Sequence, residues 1–271
     1  MRIRVRFEKT GPDRFVGHLD FMRTFTKIIR KSGLAAVYTK GFNPHMVLSF
    51  ADPLGVGQQS TGEYADIEFA YRDTAELTEQ EEYRLSDIGI DNASLPEPPS
   101  CDAFLEALNA ASVEGVHFTD AVRVGLIKSS KAMALVRGAS WQILMKDGLD
   151  GISALYEGNA LERFLEQEEI VVHKVTKKSE KDVNIRPQIF ELYAAPADAF
   201  PAFAVSDEYS ERRSLFLRCE CGSNGNLKPQ TVMEALGAWL GTAFEETSYL
   251  LVRRELYDAK GETLLSHGTR F

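Results

Sequence analysis

Two short clusters hold residue types suited to proton or metal chemistry, Gly17-His18-Leu19-Asp20 and Gly41-Phe42-Asn43-Pro44-His45. An imidazole ionises near neutrality, so His18 or His45 could act as general acid or base, and a His/Asp set can bind metal. The same residues also have plainer uses. His18 could close the start of a helix, Asp20 would favour that helix's positive end, and Asn43-Pro44 makes a turn. Structure or polar ligand recognition is the first reading of His18, Asp20 and His45. Catalysis and metal binding are the alternatives, and no metal set is assigned.

Three further groups suit anions. Gly222-Ser223-Asn224-Gly225-Asn226-Leu227-Lys228-Pro229 lies between an apolar strand and a helix that Pro229 would open. Glycines let backbone N–H groups turn towards an anion, and a helix N-terminus with Lys228 adds positive potential. Gly225, Asn226 and Lys228 are the contacts on that reading, and a tight strand–helix turn is the alternative. The Gly-Lys-Ser/Thr ending of a P-loop is absent. Lys174, Lys177, Lys178, Lys181 and Arg186 lie on and beside an expected hairpin, among Glu180 and Asp182. They suit a phosphate backbone or simply a solvated tip. On the segment His18–Ser32, Arg23, Lys27, Arg30 and Lys31 fall on one helical face, with Asn43 on the following loop as a polar contact.

The chain has 271 residues and a formal charge of −9, unevenly spread. Ten of the first fifty residues are Lys or Arg against three Asp or Glu, whereas residues 51–120 carry two basic and sixteen acidic side chains. A cationic N-terminal face suits phosphates or an acidic protein, and the acidic middle opposes indiscriminate adhesion to polyanions. Phe7, Phe15, Tyr38 and Phe42 are interleaved with the N-terminal cations. That mixture suits stacking on unpaired bases, although rings of this kind are also core material. No G-x-S-x-G, H-E-x-x-H or G-x-G-x-x-G pattern is present. No apolar run approaches bilayer length and the start alternates like a strand, so the expected location is cytoplasmic, without membrane contact. Three cysteines in a chain this long argue against a disulfide framework, and Cys219-x-Cys221 reads as small buried thiols.

These residues need a scaffold. Arg2–Glu8 alternates cations with Ile3, Val5 and Phe7, predicting a half-buried strand with a basic outer face. A helix follows over His18–Ser32, stopped by Gly33. Strands are expected near 36–38, 46–50, 63–71 and 115–124, with a helix from Ser100 to Ala111. Residues 74–99 read as an acidic insertion or linker. The order β-α-β-β-α-β is that of a split βαβ, ferredoxin-like domain. The second half gives a similar order: strand 140–146, helix 149–167, a hairpin of 169–176 with 185–194, strand 214–221, helix 229–240 and strand 248–257. Residues 125–137 read as a connecting helix and 195–212 as a long loop. The expected class is α+β, two tandem ferredoxin-like domains with antiparallel sheets, spanning 1–124 and 125–271.

Taken together, Arg6-Phe7-x-Lys9-x-Gly11, Gly17-His18-Leu19-Asp20, Gly41-Phe42-Asn43-Pro44-His45 and Glu63-Tyr64-x-Asp66-Ile67-Glu68 resemble the radical-SAM-linked protein family. Val175-Thr176-Lys177-Lys178, Ile185-Arg186-Pro187, Gly225-Asn226-Leu227-Lys228-Pro229 and Arg254-Glu255-Leu256-Tyr257 agree with it. The family is a domain of unknown function, found alone or as the C-terminal part of radical S-adenosylmethionine proteins. Met46 replaces an expected proline, and residues 52–58 are a loosened Pro-Leu-Pro-Val-Gly-type segment. The resemblance implies a role beside a radical enzyme, with S-adenosylmethionine and an iron–sulfur cluster in the partner and no cofactor in this chain.

The expected function is a non-catalytic accessory or binding module that holds RNA, either tRNA or rRNA, or another anionic substrate. Two alternatives stand beside it. One is a metal-independent endoribonuclease using His18, and the other is a pure protein–protein adaptor.

Overall fold

The computed structural model describes residues 1–73, 77–87, 89–149, 152–156, 158–175, 180–196, 198–201 and 205–271. It is a mixed α+β structure with a large, mostly antiparallel sheet and few helices. The chain divides into two compact units. The first comprises 1–56, 60–136 and 256–271, and the second comprises 57–59 and 137–255. The main segment of the second unit begins after Val136, and residues 256–271 join the first unit.

In the first unit the elements are β1 (Arg2–Lys9), α1 (His18–Lys31), β2 (Leu48–Phe50), β3 (Gln59–Glu68), α2 (Glu79–Asp87), α3 (Cys101–Ala111), β4 (Val116–Val124) and the short α4 (Ala132–Leu135). The strands lie in the order β4-β1-β3-β2, each antiparallel to its neighbour. Ile3, Val5 and Phe7 project from one face of β1 onto Phe21, Phe25, Ile28 and Ile29 of α1. Phe25 lies 5.0 Å from Phe7, 5.1 Å from Phe50 and 5.4 Å from Phe118, ring to ring. Burying a ring of this kind stabilises by about 1.5–3 kcal/mol. Gly33, at φ 76°, ends α1 in the left-handed region that glycine enters freely. Ser100 caps α3 through the Ala103 N–H, and the Asn109 amide bonds both the N–H and the carbonyl of Phe118, each at 2.8 Å.

The opposite face of β1 corrects the expected basic outer face. Arg2 and Arg4 are 2% and 0% exposed. Arg4 Nε meets Asp66 at 2.7 Å, and its other nitrogens donate to the carbonyls of Ser130 and Leu264. Arg2 meets Glu68 at 3.0 Å and donates to the carbonyls of Gly125, Leu126 and Ile127. Residues 125–132 and the turn at Leu264 cover this face. The guanidiniums are buried because carboxylates and free carbonyls satisfy them there.

Other expectations also shift. Residues 36–38 make only isolated bridges, Ala36 with Phe69 and Tyr38 with Met46. The acidic segment is anchored rather than a plain linker. Thr78 and Glu81 bond each other reciprocally at the start of α2, the Glu81 carboxylate also accepts from the Leu126 N–H, and Asp73 pairs with Arg123. The expected connecting helix over 125–137 shrinks to a 3-10 turn and the four residues of α4.

The second unit contains β5 (Gly138–Met145), α5 (Ser153–Tyr156), α6 (Ala160–Leu165), β6 (Val171–Val175), β7 (Glu180–Asn184), β8 (Ile189–Ala195), β9 (Ser214–Glu220), α7 (Pro229–Leu240) and β10 (Tyr249–Tyr257). The order is β10-β5-β9-β8, and β6 and β7 form a separate two-stranded ladder. The 149–167 helix is broken into α5 and α6, with Gly158 between them at φ 91°. The hairpin pairs 171–175 with 180–184, so Glu180, Lys181 and Asp182 of the expected tip 177–182 lie in its second strand, and 177–179 fall outside the described residues. The strand after it, β8, pairs instead with β9.

Candidate functional site

The first unit brings acid–base and cationic groups together at the start of α1. Gly17 precedes the helix without a side-chain cap, and His18 is its first residue. His18 sits edge-on to Phe50, with centroids 5.5 Å apart. Phe7 and Lys9 of β1, Phe21 of α1, Asp52, and Glu63 of β3 line the same pocket. Lys9 and Glu63 are only 2% and 4% exposed. The Lys9 ammonium donates to the Val16 carbonyl at 2.9 Å and lies 4.7 Å from the Phe21 ring centroid. The free space is about 10 Å³, the room that one water takes. Sequence inspection singled out His18 but missed Lys9, Asp52 and Glu63. They stand far apart in the chain, and only the β1–β3 register with the turn after β2 brings them together.

Outside this pocket, α1 turns its charges to solvent. Arg23, Lys27, Arg30 and Lys31 are all exposed, and Asp20 forms a 2.7 Å surface pair with Arg23. Such a pair is weak in water. Arg30 donates to the Tyr38 hydroxyl at 3.1 Å and covers that ring, and Arg14 covers Phe15 at 4.6 Å. Phe15, Tyr38 and Phe42 are exposed, whereas Phe7 is core. The loop carrying Phe42, Asn43 and His45 is closed by the bonds Thr39 N–H to His45 O and His45 N–H to Thr39 Oγ1. Asn43 and His45 are exposed on it, and the pocket that His18 lines does not include His45.

The remaining candidates lie in the second unit. Lys177 and Lys178 fall outside the described residues. Lys181 is exposed, and Arg186 is half-buried with its guanidinium donating to the carbonyls of Leu165 and Ile189. In the 222–229 bend, Asn226 and Lys228 are exposed and Pro229 opens α7. The Glu220 carboxylate lies against Gly225 where any Cβ would collide, and it accepts from Gln188 at 2.7 Å. The chain's own anion therefore sits beside this glycine. Cys101, Cys219 and Cys221 are free and buried, and burial pushes the Cys219 thiol up to about 12. Among the described residues no group of three His, Cys, Asp or Glu side chains converges as a metal would need, and no helix is long and apolar enough to cross a membrane.

An α+β chain whose first unit combines a sheltered Lys–Glu–His pocket with an exposed cationic helix is the class these observations define. Residues 2–87 and 86–229 match a bacterial family described as "Uncharacterized protein conserved in bacteria (DUF2344)", and the chain belongs to that family. Among curated proteins none matches the chain.

Proposed function

We propose that this chain is a non-catalytic accessory module that recognises RNA, tRNA or rRNA, or another polyanion, through the exposed face of its first unit. We place it in the cytoplasm beside a radical S-adenosylmethionine enzyme, a partner taken from the sequence resemblance alone. The observation that carries the RNA reading is the segregation of cations on one short stretch. Arg2, Arg4 and Lys9 are buried inside the unit, whereas Arg23, Lys27, Arg30 and Lys31 reach solvent, Arg30 over the exposed ring of Tyr38, and Phe15 and Phe42 are exposed on the same unit. Cations supply sequence-independent phosphate affinity, and exposed rings supply stacking on unpaired bases. We also read each unit as ferredoxin-like, because β4-β1-β3-β2 and β10-β5-β9-β8 both follow the strand order that a split βαβ produces.

The test is binding of tRNA and single-stranded rRNA fragments at two salt concentrations. Affinity is expected to fall steeply with salt, and Arg23→Glu with Lys27→Glu is expected to weaken all sequences alike. No binding at low salt removes the RNA part.

One observation favours a second reading. His18, partly exposed, lines with Lys9, Asp52 and Glu63 a pocket that has room for one water, an arrangement in which the imidazole would serve as proton acceptor for a phosphodiester met at the surface. Cleavage of labelled RNA that persists in chelator and disappears in His18→Ala would establish it over pure binding.

A further inference from the structure

The first unit carries a concave feature that the proposed function does not use. A cleft of about 780 Å³ opens between α2 and the turn that follows it. Leu77, Leu85 and Ile90 supply its apolar lining, and Glu82 and Asp91 stand exposed at its rim. Arg72 also borders it, but its guanidinium is already held by Glu97 at 2.7 Å and by the Ala93 carbonyl at 3.0 Å. A cleft of this size, apolar with a few polar groups, is the usual form of a binding site.

Helical spacing sets what surrounds it. Glu81 and Leu85 turn inward on α2, so Glu79, Glu82, Tyr83 and Ser86, at i, i+3, i+4 and i+7, share the outer face. All four are exposed, Tyr83 by 74%, and neither Glu79 nor Glu82 has an ion-pair partner among the described residues. On α1 the same spacing puts Leu19, Met22 and Arg23 on one outer face, beside Lys27. Leu19 is 65% exposed and Met22 is exposed with it, an aliphatic pair that nothing in its own unit covers. Lys27 has no ion-pair partner among the described residues, and Arg23 meets Asp20 at the surface, where such a pair is weak.

The two faces are complementary in shape and in charge. An aliphatic pair flanked by cations answers an apolar cleft flanked by carboxylates. They cannot meet within one copy. Helix α1 packs on the face of the sheet that carries Ile3, Val5 and Phe7. Helix α2 is tied through Glu81 to the Leu126 N–H, in the segment whose carbonyls hold Arg2 on the opposite face. RNA does not suit the cleft, because the rim carboxylates repel phosphate. We propose that this cleft receives Leu19 and Met22 of α1 from a second copy of the chain, with Arg23 and Lys27 pairing with Glu82 and Glu79. The contact joins two different surfaces, so it adds copies head to tail. It also covers the cationic helix, and self-association therefore competes with a polyanion for α1. The inference needs nothing from the RNA reading.

The experiment is sedimentation velocity of the full, nuclease-treated chain across a wide range of concentrations, at low and high salt, with thermal melting to confirm the fold of each variant. Average mass is expected to rise with concentration, and less steeply at high salt. Leu19→Glu, Arg23→Glu with Lys27→Glu, and Glu79→Lys with Glu82→Lys are each expected to weaken association about tenfold. The chain carrying all four charge reversals is expected to associate again, because each reversed face then meets its reversed counterpart. A wild type that stays monomeric throughout overturns the inference. So does wild-type association in Glu79→Lys with Glu82→Lys, or a fully reversed chain that stays apart. RNA binding is measured separately, so its absence would remove the RNA reading and leave this inference standing.

Discussion

Strand β1 and helix α1 are neighbours in sequence and both rich in cations, yet they use them in opposite ways. Arg2 and Arg4 are enclosed, each with a carboxylate from β3 and with backbone carbonyls from residues 125–130 or Leu264. Arg23, Lys27, Arg30 and Lys31 stay in water, and Arg23 pairs with Asp20 at the surface. A cation's place in the period of its element does not fix its surroundings. On α1 the polar stripe is left largely to solvent, whereas on β1 the polar stripe meets a second layer whose carbonyls need donors. The N-terminal charge excess therefore overstates the cationic surface, and what remains outside is concentrated on one helix.

The comparison can be broken most sharply at Asp66. It holds Arg4 and also accepts from the Ala132 N–H, so Asp66→Ala strands a buried guanidinium. A loss of about 3–5 kcal/mol is expected by urea denaturation, and Arg4→Met with Asp66→Leu should recover most of it. A loss below about 1 kcal/mol would mean that the enclosed pair contributes little.

A smaller effect is expected at Glu81. Burial alone would raise its carboxyl, but the Thr78 and Leu126 N–H groups and the Thr78 hydroxyl outweigh burial and hold it below the ordinary carboxylate range. A depressed folded value stabilises above the unfolded value of about 4.3, and that contribution is lost as pH falls through the lower folded value. Glu81→Gln should cost about 1–3 kcal/mol at neutral pH, and its difference from wild type should shrink in urea melts below about pH 4. A pH-independent difference would assign the effect to packing.

The least change in stability is expected on α1. Lys27→Glu with Lys31→Glu should alter it by no more than about 0.5 kcal/mol while reducing RNA affinity and its salt slope. Equal losses in stability and binding would erase the contrast between the two elements.

Local signals read well. Helices α1, α3 and α7 begin and end close to their expected limits, because Gly33, Ser100 and Pro229 act within one turn of chain. The separate two-stranded ladder is less legible: Glu180, Lys181 and Asp182 resemble a charged tip, yet they pair with Val175, Lys174 and His173. A hydrophilic two-stranded ribbon buries too little to leave a period-two apolar trace. The helix expected over 125–137 failed for a tertiary reason, since Arg2 and Arg4 take carbonyls at Gly125, Leu126, Ile127 and Ser130 that a helix would have used itself. At the site, His18 and the α1 cations were legible from spacing. Lys9 and Glu63 were hidden, because each looked like one more polar position on a strand until the sheet register brought them to one pocket.

The return of residues 256–271 to the first unit sets an order for synthesis. Leu264 supplies a carbonyl to Arg4, Thr269 exchanges two backbone bonds with Arg123, and the Phe271 carbonyl accepts from the Cys101 N–H. A ribosome making this chain must therefore finish the whole intervening unit before the earliest strand can complete its contacts. Until then the nascent N-terminal half waits with charged side chains only partly matched, a stage at which chaperone holding or premature termination would have its greatest influence.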